Sequence, residues 1–142
     1  MTVGILLKHK SGSLVTIAPD ATLSQAVASL AEHRIGAIVA IDDGGHLAGI
    51  LSERDVVRIL AEKGPDVLSD PVSSVMTRAV VTCTQEESIP VIMERMTRGR
   101  FRHVPVVERG RLMGIISIGD VVKHRIEEAE AEVDALRRYI AL

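Results

Sequence analysis

Two serine–aspartate pairs, Ser52 with Asp55 and Ser117 with Asp120, stand at the same place in two near-copies of one phrase, GILSERDVVR at 49–58 and GIISIGDVVK at 114–123. A serine hydroxyl can donate to a phosphate oxygen. A carboxylate three residues on offers two acceptor oxygens, which suit a vicinal diol such as that of ribose. The same Ser-x-x-Asp spacing is also a helix-capping pattern, worth about 1 kcal/mol, and the local pattern alone leaves both readings open. Position favours the first. Each pair follows a strand with the look of a buried one and opens a helix, whose N-terminus offers free N–H groups and a positive dipole to an anion. A hydroxyl for phosphate and a carboxylate for sugar together describe a nucleotide.

A base in such a site must lie between aliphatic side chains. Phe101 and Tyr139 are the only aromatic residues in the chain. That scarcity, with a net charge of −2, also argues against nucleic acid as a partner.

The phrase belongs to a longer repeat. The segment from Val15 to Arg58 aligns with that from Val81 to Lys123 once a residue is dropped from the turn DDGGH to match ERGR, and VGILL at 3–7 aligns weakly with VSSVM at 72–76. Each copy predicts β-α-β-β-α. A short strand (LVTI or VVTC) leads to a helix, which in the first copy carries Thr22 and Gln25 at capping-box spacing. A hairpin follows, 37–41 with 47–51 and 103–107 with 112–116. Its β-branched residues on both faces mark a buried sheet. One unit of this size cannot bury its own sheet, so the two are expected to pack sheet to sheet about a pseudo-twofold axis. The expected division is a first motif at 1–61, a linker at 62–71, a second motif at 72–124 and a helical tail at 125–142.

A chain of 142 residues with 46% hydrophobic content can build a real core. Cys83 is the single cysteine, so no internal disulfide can form and a reducing compartment is expected. The apolar run at the N-terminus is too short for a signal segment, and the run GAIVAI is far below a membrane span; the cytoplasm is the expected location.

These residues resemble a tandem pair of cystathionine-β-synthase (CBS) domains, often called a Bateman module, over nearly the whole chain. The resemblance rests on GILSERD and GIISIGD, on IGAIVAIDDGGHLAGI and FRHVPVVERGRLMGI, and on the repeat itself. It implies binding of adenosine-containing ligands in two clefts between the motifs: AMP, ADP or ATP, in some members NAD(H) or S-adenosylmethionine. Carried over by position, it implies that Asp55 and Asp120 hold ribose hydroxyls and that Ser52 and Ser117 lie near the phosphate end. The backbone around Thr16, Thr82, Gly36 and Arg102 would edge the base, with Ile50 and Ile115 facing it. The copies differ. Arg54 can reach an anion where the second copy has Gly119, and Arg102 and His103 stand where family members often hold phosphate, so the clefts are not expected to be equivalent. A solvated basic patch is the other reading of RGRFRH. Pro105 matches the family's usual hydrophobic-Pro pair; the first copy has Val39 there.

No catalytic constellation, catalytic cofactor or metal is expected. The five histidines show no metal-ligand spacing, Cys83 falls in a predicted buried strand, and each Asp has its own Ser, which argues for two pockets over a dyad. The expected role is a stand-alone sensor signalling to an unidentified protein. The alternative is an assembly protein with vestigial clefts. A homodimer is expected on two grounds. Val27, Val57, Ile59, Leu60, Met93, Met96 and Val122 exceed what a small sheet needs to cover itself, and Val122, Ile126, Ala129, Val133, Leu136 and Ile140 form a short heptad seam, for which an amphipathic helix folding back on its own body is the other reading.

Overall fold

A computed structural model describes residues 1–10 and 14–141. Helix α1 (Val3–His9) leads in. The first motif is β1 (Thr16–Ile17), α2 (Leu23–His33), β2 (Ala37–Ile41), β3 (Leu47–Ser52) and α3 (Glu53–Lys63). The second is α4 (Ile89–Gly99), β4 (His103–Glu108), β5 (Arg111–Ser117) and α5 (Ile118–Ala141). The first sheet has the order β1-β2-β3, with β1 parallel to β2; the second is the β4-β5 hairpin. The fold is the α/β pair of motifs that the repeat predicts.

The repeat is carried down to single hydrogen bonds. Helix α2 starts where Thr22 and Gln25 close their capping box and stops at Arg34, a left-handed cap with φ 53°. Helix α4 stops the same way at Arg100, φ 55°. The hairpins share one register: Ala37 faces Ser52 as His103 faces Ser117, and both slip by a residue after the fourth position, at Ala40/Ile41 and Val106/Val107. The Glu53 N–H donates to the Gly36 carbonyl at 2.9 Å, and the Ile118 N–H to the Arg102 carbonyl at 2.8 Å.

One expected strand is reduced. The opening strand of the second motif is a single bridge, Cys83 with Val106. Side chains take over the next backbone groups: Glu87 accepts from the Thr84 N–H, and the Glu108 carboxylate at the end of β4 accepts from the Gln85 N–H.

Alternation along the central strands gives two cores. Ile38 and Ala40 of β2 pack with Leu23, Leu30, Leu51 and Ile59, while Val104 and Val106 of β4 pack with Ile89, Ile92 and Ile116. Val39, on the opposite face of β2, is also buried, at 1% exposure. Burying a side chain of this size is worth about 1.5–3 kcal/mol.

The lead-in segments are exchanged. Val3 and Leu6 of α1 complete the second core, whereas Val72 and Met76 complete the first. The expected linker is also structured, since a 3-10 turn at Pro65–Ser69 buries Val67 in the first core. The glycine that opens each copy of the repeated phrase makes room for this exchange. A Cβ on Gly49 would lie 2.5 Å from Met76 Sδ and 2.8 Å from the Thr77 carbonyl oxygen; one on Gly114 would lie 2.8 Å from Leu7 Cδ2. Thr77 and Ile50 exchange two backbone hydrogen bonds there, each 2.9 Å.

The apolar surplus expected on the helices is mostly spent within the chain. Ile59 and Met96 are buried, and Val27, Leu60 and Met93 pack against the cores; Val57 and Val122 are exposed. The helices cover their sheets more fully than the count of apolar residues suggests.

Candidate functional site

Both Ser-Asp pairs are closed capping boxes. Ser52 Oγ accepts from the Asp55 N–H at 3.1 Å, and Asp55 Oδ2 accepts from the Ser52 N–H at 3.0 Å. Ser117 and Asp120 repeat this at 3.1 and 2.9 Å. The two readings of the motif are therefore compatible. Each hydroxyl uses a lone pair for the cap and keeps its own hydrogen to donate. Each carboxylate uses Oδ2 for the cap, and Oδ1 keeps acceptor capacity, shared in Asp55 with Arg58.

The second partners differ. Asp55 Oδ1 accepts from Arg58, one turn along the same helix, at 3.1 Å. Asp120 Oδ2 accepts from Lys10 Nζ at 2.9 Å, and Lys10 also donates to the Ile115 carbonyl at 2.7 Å. Burial pushes the Asp120 carboxyl up, but the Ser117 N–H and the Lys10 ammonium outweigh it, and the group titrates below the usual 3.8. It is a carboxylate at neutral pH.

Each pair opens onto a cleft built from both halves of the chain. The first, about 250 Å³, holds Gly36, Ile50, Ser52, Arg54 and Asp55 together with Arg102 and His103. The second, about 590 Å³, holds Ile115, Ser117 and Asp120 together with Gly36 and His103. Small-molecule sites commonly have volumes of this order. Thr16 and Thr82 line neither cleft among the described residues. Val15 and Val81 do, one residue earlier and so on the opposite face of the extended chain.

Gly36 and His103 border both clefts. A Cβ on Gly36 would lie 3.2 Å from the His103 ring, so the glycine lets that ring form the wall between them. Burial, and then the Lys10 charge, hold the imidazole below its ordinary 6.5 despite the acidic Glu53 and Asp120 nearby.

The differences between the copies fall on one side. Arg54 and Arg102, on different motifs, line the same cleft, and Arg100 joins them. The second cleft has Lys10, His33 and Arg34 as its basic residues besides the shared His103. Sequence reasoning did not select Lys10, Arg34 or Arg100. The two arginines could have been found, since RIG and RFR align in the repeat. Lys10 could not, because its reach depends on the exchanged lead-in helix.

Cys83 is buried outside the clefts. Burial, reinforced by Glu87, pushes its thiol up to about 11, so it stays protonated and unreactive at neutral pH. No helix among the described residues is long and apolar enough to cross a membrane.

The family model described as CBS domain matches twice, over residues 10–62 and 72–127. A CBS domain-containing mitochondrial protein of Arabidopsis thaliana is 36% identical over 137 residues, covering 94% of this chain and 66% of its own length. The chain thus spans just under two thirds of that relative. Among solved structures, a CBS-domain containing protein from Agrobacterium tumefaciens superposes with a TM-score of 0.83 at 48% identity, covering 87% of this chain and 92% of its own. A CBS domain protein from Pyrobaculum aerophilum, complexed with AMP, superposes with a TM-score of 0.76 at 27% identity, covering 84% and 89%.

Proposed function

The chain belongs to the CBS-domain family, and from that premise we propose that it is a regulatory module whose two clefts take adenosine-containing ligands and report their occupancy to a partner protein. One observation carries this reading: each cleft contains a helix N-terminus, a serine with a hydrogen to donate and a carboxylate with an oxygen to present. Asp55 and Asp120 would take the ribose diol, Ser52 and Ser117 a phosphate oxygen, and Ile50 and Ile115 a face of the base. The AMP held by the Pyrobaculum relative supports the ligand class.

The first cleft is the better fit for a phosphate chain, because Arg54, Arg100 and Arg102 converge there. Thr16 and Thr82 would act through the neighbouring backbone only. The module has no catalytic role in this reading; the buried, protonated Cys83 supplies no nucleophile. A lone buried thiol suits a reducing compartment such as the cytoplasm. The exposed apolar residues of α5 support a homodimer alongside ligand binding.

A thermal-shift panel of AMP, ADP, ATP, NAD⁺ and S-adenosylmethionine tests the reading. A true ligand at 100 times its Kd stabilises by about 2.7 kcal/mol. At least one compound should raise the melting temperature in a concentration-dependent way, while guanosine and cytidine monophosphates do not. A flat panel would reject it.

A further inference from the structure

Helix α5 leaves the body after its first turns. Val121 is buried and His124 half-buried, but every residue from Arg125 to Ala141 is exposed. At 1.5 Å per residue, that is about 25 Å of helix standing clear. Its apolar residues form one stripe, with Ile126, Val133, Leu136 and Ile140 at 53%, 46%, 60% and 80% exposure. The stripe does not fold back on its own chain. Most helical stability in proteins comes from packing an apolar face, and this face is left uncovered by its own chain.

We propose that the stripe is covered by the same stripe of a second copy, in a parallel two-stranded coiled coil. The flanking charges select the partner and the direction. With Ile126, Val133 and Ile140 at a positions, and Val122, Ala129 and Leu136 at d, the e positions are Lys123, Glu130 and Arg137, and the g positions are Arg125, Glu132 and Tyr139. In a parallel pair each g residue meets the e residue five further along the other copy. Arg125 then meets Glu130, and Glu132 meets Arg137, so each contact is attractive and occurs twice. In an antiparallel pair centred on the stripe, g meets g and e meets e. Glu132 would face Glu132, Glu130 would face Glu130, and Lys123 would face Arg137, all like charges. The β-branched residue at every a position, with Leu136 at d, also favours two strands. The seam is under three heptads, so it rests on the homodimer reading: contacts between the bodies raise the effective concentration of the tails.

Two measurements test this on the full chain. Ile140→Cys, mildly oxidised and run on a non-reducing gel, should give a disulfide-linked dimer, with the wild-type chain and its buried Cys83 as the unlinked control. Mixed Ile126→Cys and Ile140→Cys chains should link 126 to 126 and 140 to 140. In sedimentation, Glu132→Arg or Arg137→Glu alone should raise the dimer Kd on the order of fivefold, and the two together should restore it. These side chains are exposed in the protomer, so folding is not at stake. A dominant 126–140 link, no 140–140 link, or a double variant as weak as the singles overturns the parallel pairing. A chain that stays dimeric without these signatures overturns the tail contact and leaves the dimer reading intact. A monomer at micromolar concentration overturns both.

Discussion

Lys10 Nζ lies 2.9 Å from Asp120 Oδ2, across 110 residues of sequence, whereas Asp55 at the equivalent position pairs with Arg58 on its own helix. One carboxylate is thus tied to the body of the other motif's lead-in segment, and its counterpart is tied only locally. The two clefts differ in how firmly their carboxylates are held as well as in their arginines.

Removing the Lys10 charge should lower stability in a pH-dependent way. Asp120 titrates below 3.8 in the fold, so the unfolded chain binds more protons there as the medium acidifies. The stability this contributes is complete above 3.8 and is lost as pH falls through the folded value. Lys10→Met should therefore cost about 0.5–1 kcal/mol at pH 7, and the gap should narrow toward pH 3. Urea unfolding at both pH values measures it. An equal gap at both would show that Lys10 acts by packing alone.

The glycines of the repeated phrase should not be equally replaceable. A Cβ at position 49 meets a backbone oxygen, Thr77 O, at 2.8 Å as well as Met76, while at position 114 it meets the end of the Leu7 side chain. A side chain can move; the bridged backbone cannot without losing its hydrogen bonds. Gly49→Ala should cost about 2–3 kcal/mol and Gly114→Ala about 1 kcal/mol or less, read from denaturant midpoints. The reverse order would contradict the packing described.

His103 should titrate below 6.5. Its neutral form is favoured in the fold, so stability falls as pH drops below 6.5 toward the folded value, while the unfolded chain takes up the proton first. Replacing it by Gln should flatten that part of the stability profile. Proton NMR of the ring gives the pKa directly, and a value above 6.5 would show that Glu53 and Asp120 outweigh burial and Lys10.

The fold was legible because it is written twice. The Thr22–Gln25 box, both hairpins and the burial of Val39 and Val106 follow from local pattern read in duplicate. Gly36, Ile50, Ser52, Arg54, Asp55, Arg102, His103, Ile115, Ser117 and Asp120 line the clefts, and the backbone around Thr16 and Thr82 reaches them through Val15 and Val81. What sequence did not reveal is long-range. The exchange of α1 for the segment at 72–76 leaves only the faint match of VGILL to VSSVM, and Lys10 reaches Asp120 only because of that exchange. The opening strand of the second motif shrank for a similar reason: Glu87 and Glu108 claim its next N–H groups, which propensity does not register.

Calorimetric titration of AMP into the wild-type chain and into Asp55→Asn, Asp120→Asn and the double variant tests the central claim most directly. Asn keeps an acceptor for each cap, so the helices should stay intact while the charge is lost. The wild type should bind, each single variant should weaken its own cleft by about 1.5–3 kcal/mol, and the double variant should show no measurable heat of binding. Binding by the double variant equal to that of the wild type would contradict the account and leave Ser52–Asp55 and Ser117–Asp120 as helix caps alone.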